Sequence, residues 1–485
     1  MINCFIPFLS LPQARQTVRA LGLCDRIKNI YLLATEKIPD EVEGCEMLMI
    51  DSPASTATFR TIALHADTAY TLLYTKYTAF EPGQFAFERL LAIAGDTNAG
   101  MLYADRYLLK NGNSQQAPVI DYQKGSLRDD FDFGSLLFFR SSVLKQAVRA
   151  MDADYRFAGL YDLRLRVSEL AELVHVNEYL YSEVETDIRK SGEKLFDYVD
   201  PKNRAVQIEM EAVCTAYLKR VGGYLAPDFE PVTFDAGGFE QEASVIIPVR
   251  NRIRTIEDAI RSVLAQKTTF RFNLIIVDNH STDGTSEAIE KYTADGRVVH
   301  LVPERSDLGI GGCWNVGVHH PACGKFAVQL DSDDVYSGPD TLQKIVDAFY
   351  EQNCAMVVGT YRMTDFKMNE IPPGIIDHRE WTLENGRNNA LRINGLGAPR
   401  AFYTPVLRRI NLPNTSYGED YALGLNFSRR YQIGRVYEVV YLCRRWDDNS
   451  DASLDIIKMN GHNLYKDRIR TWELQARIAM NRHQM

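Results

Sequence analysis

Six residues, Lys325-Phe326-Ala327-Val328-Gln329-Leu330, run straight into Asp331-Ser332-Asp333-Asp334. The run has the length and apolarity of a strand buried in a parallel sheet. It therefore points to an open α/β fold, in which ligands sit beyond the carboxyl ends of the strands. Three carboxylates within four residues at such an end repel one another. A divalent cation relieves that repulsion, and hard oxygen donors suit Mg2+ or Mn2+, ions that also hold substrate phosphates. The plainer alternative is an acidic turn whose aspartates hydrogen-bond their own backbone.

The rest of the second half fits an α/β sheet. Strands are expected at Ser244 to Val249, Asn273 to Asp278, Val298 to Val302 and Ala355 to Gly359, with helices at Ile256 to Gln266, Thr285 to Tyr292 and from Pro339 onward. Strands alternating with helical patterns predict a mostly parallel central sheet covered on both faces. The Gly- and Pro-rich stretch Val221 to Phe239 reads as a domain boundary. A chain of 485 residues with 45% hydrophobic content has room for two or three domains. A net charge of −9 argues against a general nucleic-acid binder, whose footprint is basic. The eight cysteines are scattered without a C-x-x-C pair, which gives neither a disulfide framework nor zinc-finger spacing and suits a reducing, cytoplasmic setting. No signal peptide or membrane-spanning run is expected. The basic C-terminal helical stretch, with Lys458, Lys466, Arg468, Arg470 and Arg477, offers a surface for peripheral contact with an anionic membrane at its inner face, against the plainer reading of a solvated helix face.

The first half reads as a faded copy of the second. Asn3-Cys4-Phe5-Ile6-Pro7 parallels Val245-Ile246-Ile247-Pro248, and Thr71 to Tyr77 followed by Pro82 parallels the segment carrying Asp331 to Asp334. Tyr103 follows Tyr74 much as Tyr361 follows Asp331, and Phe138 to Leu144 parallels Ala401 to Leu407. Preserved order along the chain is the sign of a repeated unit. Two unrelated α/β domains are the alternative. In this alignment Lys76 falls where Asp333 falls, and a lysine cannot ligate Mg2+ or Mn2+, so the first copy is expected to bind no catalytic metal.

Over roughly residues 242 to 450 the chain resembles the family-two glycosyltransferases of the GT-A fold. The motifs are Ala243 to Asn251, the stretch Ile275-Ile276-Val277-Asp278-Asn279-His280-Ser281-Thr282-Asp283-Gly284-Thr285, the D-x-D-D element Asp331 to Asp334, and the E-D element Gly418-Glu419-Asp420. The resemblance implies two tandem GT-A-like α/β domains: a degenerate copy over 1–225 without the metal motif, a linker at 226–241, a catalytic domain over 242–450 and a C-terminal helical extension over 451–485. It implies a nucleotide-sugar donor, with UDP as the expected nucleotide, held by Pro248, Val249, Arg250, Asn251, Asp278, Asp331 and Ser332. Asp333, with Asp331, would ligate the Mn2+ or Mg2+ bridging the donor diphosphate, where metal charge lowers the barrier by several kcal/mol. Asp420, beside Glu419, would be the general base in a single displacement with inversion. Stabilisation of a helix N-terminus is the plainer role for that pair. A saccharide or lipid-linked saccharide acceptor and a place in surface polysaccharide synthesis are the family-level expectation.

Several positions depart from the family pattern. Asn279-His280 replaces an acidic residue and glycine, and Trp314 stands where an arginine is usual, so Arg305 or Lys325 is the candidate substitute for the lost phosphate cation. Trp446, in Tyr441 to Ser450, occupies the place of a metal-reaching histidine, and Arg444 or Arg445 could clamp the diphosphate bidentately. Trp446 and Trp381 are candidates for stacking on sugar faces, with core packing as the alternative. His378 is read as part of a polar surface loop. In the first copy, Asp105 and Asp162 keep acidic groups available. The competing function is a non-catalytic, sugar-nucleotide-binding scaffold built from two such folds. A nucleotidyltransferase is disfavoured because Val249-Arg250-Asn251-Arg252 lacks glycine.

Overall fold

Each half of the chain opens on a strand with almost no polar alternation: Ile2–Pro7 is buried throughout, and Ala243–Val249 at all but one position. A strand buried on both faces needs cover on both, so each nucleates a sheet flanked by helices. The computed structural model describes residues 1–37, 40–110, 112–184, 203–446 and 455–484. They form two compact units, one of residues 1–184, 203–222 and 455–471, the other of residues 223–446 and 472–484. The closing helix Ile456–Gln484 is therefore divided between the units rather than forming the extension expected over 451–485.

The first unit carries β1 (Ile2–Pro7), β2 (Ile27–Ala34), β3 (Glu46–Met49), β4 (Tyr70–Tyr74), β5 (Phe80–Pro82), β6 (Met101–Lys110), β7 (Asn113–Ala117), β8 (Leu136–Arg140) and β9 (Leu173–Val184). The second carries β10 (Ala243–Val249), β11 (Phe272–Asp278), β12 (Val298–Leu301), β13 (Phe326–Gln329), β14 (Val335–Tyr336), β15 (Met356–Asp365), β16 (Glu370–Ile376), β17 (Arg400–Tyr403) and β18 (Ile433–Arg445). The first sheet runs β3-β2-β1-β4-β8-β6-β9-β5 with β7 beside β6, and the second β12-β11-β10-β13-β17-β15-β18-β14 with β16 beside β15. The two orders are identical strand for strand, so the repeat read from the sequence is a repeat of topology. In the second sheet β12, β11, β10 and β13 are mutually parallel, whereas β17 runs antiparallel to both of its neighbours.

The ladders correct the alignment by one residue. Ile2 pairs with Tyr70 as Ala243 pairs with Phe326, and Thr71 faces Phe139 as Ala327 faces Phe402. Counting onward, Thr75 stands at the place of Asp331, Lys76 at that of Ser332 and Tyr77 at that of Asp333. Likewise Arg106, not Tyr103, matches Tyr361: they pair with Tyr181 and Tyr441, while Met101 and Met356 face Phe139 and Phe402. Spacing alone cannot detect such a slip, because only hydrogen-bond register fixes which residue is opposite which.

Local chemistry sets the helices around the second sheet. Ile256–Leu264 buries Ile256, Ala259, Ile260 and Val263, one face of a helical period. Glu419–Arg430 starts after Gly418, whose φ of 79° falls in the left-handed region open to glycine. It carries Glu419 and Asp420 in its first turn and Arg429 and Arg430 in its last, matching the helix dipole at both ends. The segment Gly309 to Gly317, with four glycines, lies at and within a helix, Ile310–His319. The basic residues of the closing helix do not share an exposed face. Arg470 pairs with Asp467 at 2.9 Å and Arg477 with Glu473 at 2.7 Å, all four buried, and Lys466 is buried too. A buried guanidinium needs an ionic partner, so Lys466, Arg470 and Arg477 are withdrawn from the basic surface expected there, while Lys458 and Arg468 stay exposed.

Candidate active site

In the second unit a cleft of about 320 Å³ opens at the carboxyl ends of β10 and β13. It brings together Pro248, Asp331, Ser332, Asp333, Glu419, Asp420 and Arg445 from the expected set. The loops after β10 and β13 supply Pro248, Arg252 and the aspartates, and the N-terminus of Glu419–Arg430 supplies the acidic pair.

The aspartate cluster is graded by burial. The Asp331 backbone N–H donates to Tyr441 Oη at 3.1 Å, and Asp331 Oδ1 accepts from Gln329 Nε2 at 2.9 Å. Burial raises the Asp331 carboxyl above the usual carboxylate range, while Arg400 works in the opposite direction. Asp334 is pushed up further, by burial and then by Asp333 and Asp331, with its Oδ1 accepting the Arg444 N–H at 2.7 Å. Asp333 Oδ2 accepts from the indole Nε1 of Trp446 at 3.3 Å. That ring lies under the guanidinium of Arg254, 4.9 Å from its centroid, and Trp446 reaches the cluster as a hydrogen-bond donor.

The acidic pair at the helix start differs within itself. Glu419 is buried, and burial followed by the charge of Asp420 holds its carboxyl well above the usual range. Asp420 is open to the cleft, with Oδ2 2.7 Å from Arg400 Nη1 and Oδ1 accepting the Tyr421 N–H at 2.7 Å. Close backbone packing fixes the floor: a Cβ on Gly311 would lie 2.0 Å from the Pro413 carbonyl oxygen and 3.1 Å from the Glu419 Cβ.

Five expected donor-binding residues lie outside the lining. Asp278 is fully buried. Burial alone would raise its carboxyl, yet His300, Ser281 and Ser286 together hold it below the usual range, and its oxygens accept the Ser281 N–H at 3.0 Å and the Ser286 hydroxyl. It therefore closes the turn after β11 rather than facing the cleft. Asn251, at φ 53°, ties the loop after β10 to the same turn, its Oδ1 accepting the Thr282 N–H at 2.8 Å. Val249 O accepts the Asn279 N–H, and Arg250 points to solvent. Arg305 forms an exposed pair with Asp307 at 2.6 Å, and Lys325 pairs with Glu242 at 3.2 Å at the opposite end of its strand; neither lines the cleft. Of the two arginines on β18, Arg445 lines the cleft, whereas Arg444 is buried against Asp258 at 2.9 Å. The segment 447–450 lies outside the described residues.

Sequence reasoning missed Arg252, Gln329 and Arg400, all of which line the cleft. Arg252 directly follows the opening motif Ala243 to Asn251, which was the available signal. Gln329 and Arg400 lie within strands, where periodicity marks them only as core. Two further expectations are corrected. His378 is not on a surface loop: it is buried, with Nδ1 2.8 Å from Glu380 Oε1. Trp381 is buried beneath the Arg435 guanidinium, 4.6 Å from its ring centroid, which is core packing.

Among the described residues of the first unit, the places of Asp331, Asp333, Arg400 and Asp420 hold other side chains. Thr75 and Tyr77 replace Asp331 and Asp333, and β-ladder register puts Leu137 at the place of Arg400. In the helix Gly159–Leu170, Tyr161 donates to the Leu127 carbonyl as Tyr421 donates to the Ala390 carbonyl, which sets Leu160 at the place of Asp420. Asp105 is taken up by His175 at 2.9 Å, Asp162 by Arg166 at 2.9 Å, and Lys76 by buried Glu183 at 3.0 Å.

Among the described residues no group of three or more His, Cys, Asp or Glu side chains converges as a metal cage. Two oxygen-donor side chains at a strand end suit an ion that keeps waters and shares its coordination with substrate phosphates, as Mg2+ and Mn2+ do. The donor set thus fits a cation arriving with a diphosphate.

A carboxylate pair at the end of β13, a carboxylate at a helix start and a mixed α/β sheet match the pattern of the GT-A-fold glycosyltransferases that the sequence resembles. Residues 244–409 match the family model described as glycosyl transferase family 2. A putative teichuronic acid biosynthesis glycosyltransferase, TuaG, of Bacillus subtilis is 33% identical over 120 residues, 25% of this chain and 46% of that protein. An uncharacterized glycosyltransferase of Rickettsia felis is 30% identical over 200 residues, 41% of this chain and 32% of that protein. The match therefore spans a third to a half of these relatives' length. Among solved structures, TarS of S. aureus in complex with UDP-GlcNAc is 21% identical, covers 49% of this chain and 72% of that chain, and has a TM-score of 0.38. The second unit therefore holds the segment, residues 244–409, that matches the glycosyl transferase family 2 model.

Proposed function

We propose that the second unit transfers a sugar from a UDP-sugar to a hydroxyl acceptor with inversion, in a reaction that depends on Mn2+ or Mg2+. The observation that carries this reading is the convergence of Asp331, Asp333, Asp420 and Arg445 on one cleft. Asp331 and Asp333 would hold the cation, which when bound stabilises charge on the departing diphosphate. Arg445 adds a fixed positive charge for the same phosphates. Asp420 takes the acceptor hydroxyl proton as that oxygen attacks the anomeric carbon. A single open base, with no second carboxylate placed as a nucleophile, favours one displacement over two. The cleft's apolar wall, with Ile310, Phe402 and Leu412, helps exclude water from the sugar.

The acceptor is a saccharide or lipid-linked saccharide of a surface polysaccharide, a reading supported by the name carried by the Bacillus subtilis relative. The site of action is the cytoplasm. The first unit has a structural or acceptor-holding role, since the neutral side chains of Thr75, Tyr77 and Leu160 stand at the places of Asp331, Asp333 and Asp420.

Calorimetric titration of UDP and GDP, with and without Mn2+, tests the reading. UDP binding that requires metal and is lost in Asp333→Asn is expected. No binding of either nucleotide with metal present would overturn it in favour of a scaffold.

A further inference from the structure

We propose that Arg400 is a positioning residue for transfer, the standing counter-ion that aims the base and links it to the metal-binding aspartate. The inference rests on the reading of Asp420 as base. Arg400 opens β17, next to the end of β13, and its guanidinium is held on two sides: Nη1 donates to the Gly397 carbonyl at 2.9 Å and lies 2.7 Å from Asp420 Oδ2. Its backbone N–H donates to Gln329 Oε1 at 3.1 Å, and Gln329 Nε2 donates to Asp331 Oδ1 at 2.9 Å. One continuous path therefore runs from the metal-binding carboxylate through a buried amide and a strand backbone to the base.

The charge pattern has a purpose that packing alone does not explain. Asp331, Glu419 and Asp420 all act on the Arg400 guanidinium, against the burial that disfavours its charge. Arg400 sets a positive charge 2.7 Å from Asp420 Oδ2, and Asp420 Oδ1 accepts the Tyr421 N–H at 2.7 Å, so both oxygens of the base are fixed in direction. The first unit supplies an independent observation. The same β-ladder position holds Leu137, and there the base position holds Leu160. The arginine and the base it faces are absent together from one copy of the fold and present together in the other.

The test uses the full chain and the nucleotide sugar whose nucleotide binds in calorimetry, with release of nucleoside diphosphate to water as the readout. Arg400→Leu is expected to lower turnover by about 100-fold or more, the range seen when a preorganised charge is removed. Its metal-dependent nucleotide affinity is expected to stay within about 3-fold of the parent, a split between turnover and ground-state binding that a structural role would not give. Millimolar guanidinium should restore part of the lost rate, and Arg400→Lys should fall between the two. Should Arg400→Leu fold poorly, Arg400→Lys and its rescue by guanidinium decide the matter. Loss of release in Asp420→Asn with near-parental release in Arg400→Leu would overturn this inference while leaving the base in place. Equal loss of nucleotide binding and turnover in Arg400→Leu would overturn it as well. Undiminished release in Asp420→Asn would instead overturn the base reading, and parental chain that binds nucleotide and metal but releases none would overturn both.

Discussion

Trp446 donates its indole N–H to Asp333 Oδ2 across 3.3 Å while Arg254 covers the ring face at 4.9 Å. The tryptophan thus stands in direct contact with the carboxylate that would receive the cation. Binding of a cation at Asp333 changes the charge felt by that ring. Titration with Mn2+ and UDP should therefore alter tryptophan emission, and Trp446→Phe, which keeps the stacked ring but loses the N–H, should show less than about half the change. An unchanged response in Trp446→Phe would mean that one of the other three tryptophans, Trp314, Trp381 or Trp472, reports instead.

Asp333→Asn removes a charge from the proposed cation site without changing its shape. With Mn2+ present, UDP affinity should fall by about 10-fold or more, about 1.4 kcal/mol, and without metal the variant and parent should bind alike. Isothermal calorimetry in both conditions checks this.

Metal stoichiometry separates the two units. Titration followed by electron paramagnetic resonance, with UDP present, should saturate at about one Mn2+ per chain, because Thr75 and Tyr77 offer no carboxylate at the equivalent strand end. A second equivalent of comparable affinity would show a live cation site in the first unit.

Glu419 predicts the direction of a pH effect. Its folded value lies above its ordinary 4.5, through burial first and Asp420 next. A raised carboxyl contributes stability that is fully present below the ordinary value and is lost as pH rises through the raised one. Thermal melts in the absence of metal should therefore show the parent losing stability relative to Glu419→Gln as pH climbs from about 5 to 9. A constant difference between the two proteins across that window would contradict the prediction.

Gly311 has no room for a methyl group, which would meet the Pro413 carbonyl oxygen at 2.0 Å. Backbone cannot retreat as a flexible side chain can, so Gly311→Ala should destabilise the chain by about 2 kcal/mol, within the usual range for overpacking. Urea denaturation measures it directly, and a loss below about 0.5 kcal/mol would show that the 413–415 loop yields.

The limits of legibility follow from the kinds of signal involved. Strands β10, β11 and β13 were readable because they are short apolar runs ending in turn residues, Asp331 and Asp333 because carboxylates cluster at the end of β13, and Glu419 and Asp420 only through the family resemblance, as a pair at a helix start. Asp278 belonged to a recognisable motif, yet its carboxylate is turned inward to three neighbours, an orientation that no motif encodes. The closing helix was visible as basic, but Arg470 and Arg477 are paired internally with Asp467 and Glu473 at helical spacing. Charge count alone does not say which side of a helix carries the partners.

Local chemistry along the chain was sufficient for the α/β class, the repeat and the carboxylate motifs, since each rests on residue type and spacing of a few positions. Tertiary structure decided the rest. Register set Thr75, not Tyr74, against Asp331, because pairing is fixed by hydrogen bonds between distant strands. It also brought Arg400 to Asp420 and Gln329 to Asp331, contacts made by residues that read in the sequence only as strand interior. Electrostatic partners in a cleft are chosen by proximity in space, and proximity exists only once the sheet has formed.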